Sequence, residues 1–195
     1  NHVKQYHYPI LAIRLQEAST AYILYLWIFV AAMSELLTVA GQFKCKASSV
    51  LGRKAEFQAK HMFEDSDDCW NSAGKSELSL DEDGEDEGCH LLFDFLDASV
   101  CVTSIRIMFQ GGFVGSDGIV EIGGADENKN ALKQLCILDH IETIEDGNDF
   151  QEWDIPAGGC NGAKGIKYLK IIFPTSTDFY GRVTIYRFEI HGQRL

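Results

Sequence analysis

Beyond Phe43 the chain is a succession of short alternating apolar runs closed by glycine or proline, with no long stretch of 3.6-residue periodicity. Such a chain has few options: its strands must bury one face against a second sheet, which makes an antiparallel β-sandwich. Leu91, Phe93 and Phe95 alternate with Leu92 and Asp94, as a strand with one buried face requires. Ile105, Ile107 and Phe109 alternate with Ser104 and Arg106, and Gly111-Gly112 closes that run. Short apolar runs follow at 119–122 and 135–138. Leu169, Ile171 and Phe173 flank Lys170, and Pro174 ends the run because it cannot donate to a ladder. Tyr186, Phe188 and Ile190 alternate with Arg187, Glu189 and His191. The one helical candidate in this region is a turn near Ala55–His61.

Composition supports many strands joined by tight turns, with 18 glycines and only three prolines. The formal net charge is −12, and the first 32 residues hold Lys4 and Arg14 against Glu17, so the acid is concentrated further on. Such a surface repels phosphate backbones, which argues against direct nucleic-acid binding and favours a basic protein surface or a cation. Seven acids crowd the 11 residues Glu77–Glu87, a segment expected to be a solvated loop. Cysteines stand at 45, 69, 89, 101, 136 and 160, without a CxxC pair or zinc-ligand spacing to histidine. Two states fit them: free thiols in a reducing compartment, which we expect, or a secreted three-disulfide framework.

Residues 1–42 read as an N-terminal extension and 43–195 as the folded domain. Residues 21–33, AYILYLWIFVAAM, are the most apolar run, but thirteen residues fall short of the roughly 20 a membrane span needs. They match the core of a signal peptide, with Val39-Ala40-Gly41 as a small-residue cleavage site. The expected alternative is that Met33 is the true start and the preceding residues are upstream sequence; a membrane anchor is the least favoured reading.

Several constellations are candidates for chemistry. Glu64, Asp65, Asp67 and Asp68 could gather oxygens around calcium, although the spacing is not that of an EF-hand. The competing reading is a turn whose Asp side chains bond their own backbone amides. Trp70 is expected to plug the core. Gln110-Gly111-Gly112-Phe113 lacks the following helix of a phosphate cradle and is expected to be a positive-φ turn with Phe113 over the sandwich end. In Thr177–Arg182, Gly181 permits a bend, Asp178 caps it, and Arg182 is placed to pair with Asp178. An exposed Phe179-Tyr180 pair at that tip is a candidate contact for a partner or a sugar ring, and Phe113 and Arg182 are candidates beside it. No nucleophile elbow, HExxH, Walker loop or dinucleotide fingerprint is present, so no catalytic residues are assigned.

The stretches HMFEDSDDCWNS (61–72), IRIMFQGGF (105–113) and TDFYGRVTIYRFEIHG (177–192) resemble a family of small proteins that associate with, and repress, a testis orphan nuclear receptor. The similarity begins near Ser48 and runs to the C-terminus. It implies a discoidin-like, galactose-binding-type jelly roll that needs no cofactor. It also implies a protein partner, an orphan nuclear receptor, whose transcription the chain would restrain from the nucleus or cytoplasm. The family supplies no catalytic residues to carry over. Two alternatives remain on fold analogy: a secreted carbohydrate- or lipid-binding lectin domain if 21–33 is a signal peptide, and an adaptor subunit of a ciliary or ubiquitin-ligase complex.

Overall fold

Strict alternation builds the centre of the molecule. In β4 (Cys89–Phe95) Cys89, Leu91, Phe93 and Phe95 are buried and the residues between them are half-buried. The computed structural model describes residues 34–74, 88–96, 99–129, 131–138, 144–161 and 164–195. The apolar run 21–33, Met33 and the acidic segment Glu77–Glu87 lie outside the described residues.

Two antiparallel sheets face each other. One is ordered β1 (Glu35–Leu36), β12 (Thr184–Arg194), β5 (Val100–Phe109) and β9 (Phe150–Asp154), with β3 (Trp70–Asn71) also paired to β12. The other runs β2 (Phe43–Ala47), β4, β10 (Tyr168–Phe173), β7 (Ile119–Gly123) and β8 (Lys133–Ile137). A small hairpin joins β6 (Gly115–Ser116) to β11 (Thr175–Ser176). This is the expected antiparallel jelly roll. The turn expected near Ala55–His61 is a set of short 3₁₀ turns, Leu51–Arg53, Ala55–Phe57 and Ala59–Phe63.

The inner faces interlock through Leu91, Phe93, Leu169 and Ile171 on one side and Ile105, Ile107, Ile185 and Ile190 on the other, all fully buried. Two ring contacts cross between the sheets. Phe93 stacks on Phe188 with centroids 5.1 Å apart, and Phe109 meets Phe173 edge-on at 5.6 Å. Trp70 is fully buried, as expected of a plug, and its Nε1–H donates to the Ser49 carbonyl at 3.0 Å.

Three expectations are corrected. The compact unit begins at Glu35, ahead of Phe43. Glu35 and Leu36 pair with Gly192 and His191, and buried Leu37 donates its N–H to Ile190 at 2.7 Å. A two-residue strand is too short to show a period. Tyr186 is also out of phase: the β12–β5 register shifts between Ile185 and Arg187, so Ile185 takes the core position and Tyr186 is the extra residue of a bulge.

The third correction concerns the cysteines, which are neither all free nor paired in three bridges. Cys101 and Cys160 form a disulfide, while Cys45, Cys69, Cys89 and Cys136 are outside any disulfide. Pairing of β9 with β5 returns the chain so that the turn Ala157–Cys160 reaches the start of β5. Burial pushes the Cys45 thiol far above its ordinary value and Cys136 up to about 11; Cys69 is raised by burial and then by Asp68. These shifts disfavour the reactive thiolate. A thiol titration of the denatured, unreduced protein should therefore find four thiols. In the native state at pH 8, Cys69 should react first and Cys45 and Cys89 last. Six thiols in the denatured sample, or a fast-reacting Cys45, would contradict this arrangement.

Candidate functional site

The turn between β11 and β12 is built around one carboxylate. Asp178 accepts the backbone N–H groups of Tyr180 and Arg182, each at 3.1 Å, and its own N–H donates to Ser176 Oγ at 3.1 Å. Arg182 completes the ring: Nε donates to Oδ2 at 2.9 Å and Nη2 to Oδ1 at 3.0 Å. Gly181, at φ 75°, lets the chain close through its N–H to the Asp178 carbonyl at 2.9 Å. The Arg182 guanidinium, helped by the two backbone N–H groups, holds the Asp178 carboxyl below its usual value despite burial. Asp178 in turn raises Arg182.

This fixed turn displays Phe179 at 93% exposure and Tyr180 at 63%. Their rings meet edge-on with centroids 5.2 Å apart. The Arg182 guanidinium lies 4.9 Å from the Phe113 ring centroid and 5.4 Å from that of Tyr180. The structure thus brings Phe113, Phe179, Tyr180 and Arg182 into one cluster. Phe113 arrives from the turn after β5, where Gly112 takes φ 82°, the Phe113 N–H donates to the Gln110 carbonyl and the Phe113 carbonyl accepts the Thr184 N–H.

Sequence reasoning missed what holds these turns. Gly111 and Gly112 donate to Asn148 Oδ1 and Asp146 Oδ1 at 2.6 and 2.7 Å. Ser72 Oγ accepts the Val183 N–H at 2.8 Å, and Thr177 Oγ1 accepts that of Val114 at 3.0 Å. Most of these partners are far apart in sequence, so no local pattern marks them.

The acidic stretch 64–68 is arranged differently from a coordination shell. His61 donates Nε2–H to the Ala55 carbonyl at 2.9 Å and turns Nδ1 toward Glu64, at 3.2 Å, and Asp68, at 3.6 Å. Arg187 binds the Ser66 carbonyl and approaches exposed Asp65 at 3.9 Å. Among the described residues no three of His, Cys, Asp and Glu converge on a metal position. Glu64, Asp65, Asp67 and Asp68 are not gathered around one point; the Ser66 hydroxyl instead accepts the Asp68 N–H at 3.3 Å.

No family model matches the chain. Its fold is that of galactose-binding-like carbohydrate-binding modules. Chitosan-binding module 1 of a Paenibacillus sp. IK-5 chitosanase/glucanase superposes with a TM-score of 0.55 at 18% identity, over 81% of this chain and 99% of the module. The family 32 module of Clostridium perfringens NanJ, solved with galactose, gives 0.55 at 12% identity, over 82% of this chain and 99% of that one. At such identities the likeness is one of fold. Sequence similarity is more specific: the chain is 34% identical over 166 residues to nuclear receptor 2C2-associated protein of Danio rerio, covering 83% of this chain and 99% of the relative. The chain belongs to the nuclear receptor 2C2-associated protein family.

Proposed function

We propose that this chain is a non-catalytic protein-interaction module that docks on a nuclear receptor and represses its transcriptional output, in the nucleus or cytoplasm. The observation that carries this reading is the Phe179-Tyr180 pair, exposed on a turn that Asp178 and Arg182 hold rigid. Exposed aromatics on a preformed support contribute large contact area at little ordering cost, as interface anchors do. The name of the relatives supplies the kind of partner. The acidic surface adds a means of repression, because it suits a basic DNA-binding region and would compete with DNA for the same charges.

The test is binding of the full chain to nuclear receptor 2C2, measured beside a transcription reporter. F179A/Y180A should weaken binding by at least about tenfold and relieve repression, with the melting temperature unchanged. Equal binding by the variant would remove the tip from the interface. Galactose-induced shifts of Phe179 and Tyr180 resonances, without receptor binding, would move the site toward glycan recognition.

A further inference from the structure

The outer face of the β1-β12-β5-β9 sheet carries a concavity whose floor is one cross-strand row. Arg187 stands opposite Met108 and Met108 opposite Phe150, so the three share the face away from the core. The bulge before Arg187 adds Tyr186: these successive residues both line the concavity, which an unbroken strand would forbid. Two loops wall it, through Ser66 and Asp67 beside β12 and Asn148 just ahead of β9, and the space is about 550 Å³. The nearby cations are engaged. Arg187 donates Nη1 to the Tyr186 carbonyl at 2.7 Å and Nη2 to the Ser66 carbonyl, while Arg106, over the Phe150 ring at 4.5 Å, donates to Glu189 at 2.7 Å. The acids are not all matched. The loops 64–68 and 145–149 hold seven carboxylates and no lysine or arginine. His61 faces Glu64 and Asp68, and Arg187 faces Asp65. Among the described residues, the exposed Asp67 carboxylate and the Tyr186 hydroxyl have no partner.

We infer that this concavity seats a lysine side chain of a basic peptide segment. Two open acceptors beside an apolar floor select a cation on an apolar stem. The ammonium is received by Asp67 and the Tyr186 hydroxyl, and the methylenes lie on Met108 and Phe150. The Tyr186 ring adds the attraction of its π face for the charge. A metal ion would leave the floor unused, and among the described residues no three ligands converge on one. The space exceeds a single lysine side chain, which leaves room for the backbone that carries it. The acids of both loops draw a basic chain and turn away an acidic one. The ladder fixes the floor, so little order is lost on binding. The site shares no residue with the Phe179–Arg182 tip and stands independently of the receptor reading.

The experiment is fluorescence anisotropy of the full chain with a labelled peptide of repeated Gly-Ser-Lys, beside the same peptide with acetylated lysines and a Glu-for-Lys control. The lysine peptide should bind, the acetylated one at least about tenfold more weakly, and the acidic one not at all. D67N/Y186L should weaken binding of the lysine peptide by about tenfold. D126N, which removes one charge from the exposed β7–β8 connection, should leave it unchanged, as should F179A/Y180A. If the double variant lowers the melting temperature, D67N/Y186F replaces it, with about threefold loss expected. Absence of binding, equal binding of the acetylated peptide, or a loss in the site variants no larger than in D126N would overturn the proposal; the last result would reduce the attraction to net charge alone.

Discussion

Phe188→Ala is expected to lower the unfolding free energy by about 3–5 kcal/mol, a third or more of what a domain of this size holds. Phe188 is 1% exposed and its ring stacks on Phe93, which also meets Phe43 and Phe63 at 6.1 and 6.0 Å. The chain of rings therefore runs from β12 in one sheet to β4 and β2 in the other, and on to the Ala59–Phe63 turn. Truncation removes the ring that ties the layers together and leaves a void bounded by strands that cannot close, because their ladders fix their spacing. Phe188→Leu keeps much of the volume and should cost about 1–2 kcal/mol. Chemical denaturation measures both. A loss below about 1 kcal/mol for the alanine variant would mean that the sheets are not held by this contact.

What could be read from the sequence divides along a physical line. β4, β5 and β10 were legible because each keeps one face wholly inside, and period-two burial writes itself into residue choice. β9 was not, since FQEWD buries only Trp153 and reads as an acidic loop. The bulge at Tyr186 was invisible because its cause is the register of β5 on the partner strand. The same holds for the site. Asp178, Gly181 and Arg182 lie within one turn and could be paired by eye, and Phe113 stood out beside a double glycine. Asn148 and Asp146, which hold that glycine turn from more than 30 residues away, carry no local signal. The Cys101–Cys160 bond likewise follows from the return of β9 along β5.

Asp178→Ala should do most to the binding tip, and it separates support from contact. The Asp178 side chain is 9% exposed and Arg182 27%, so removing the carboxylate strands a mostly buried guanidinium and the half-buried Arg182 N–H, while the Tyr180 N–H loses the bond that orients it. Losing charge-assisted bonds of this kind costs about 2–4 kcal/mol. The turn would then present Phe179 and Tyr180 in many orientations, and receptor binding should fall at least as far as in F179A/Y180A although both rings remain. Asp178→Asn isolates the charge. The folded carboxyl titrates below its ordinary value, chiefly because of Arg182, so its stabilisation is complete above the unfolded value near 3.8 and is lost as pH falls through the folded one. The stability difference between wild type and Asp178→Asn should therefore be constant from pH 7 to about 5 and shrink below about 4. A difference that stays flat to pH 2 would show that Arg182 is not held by this carboxylate, and the rigid tip would lose its physical basis.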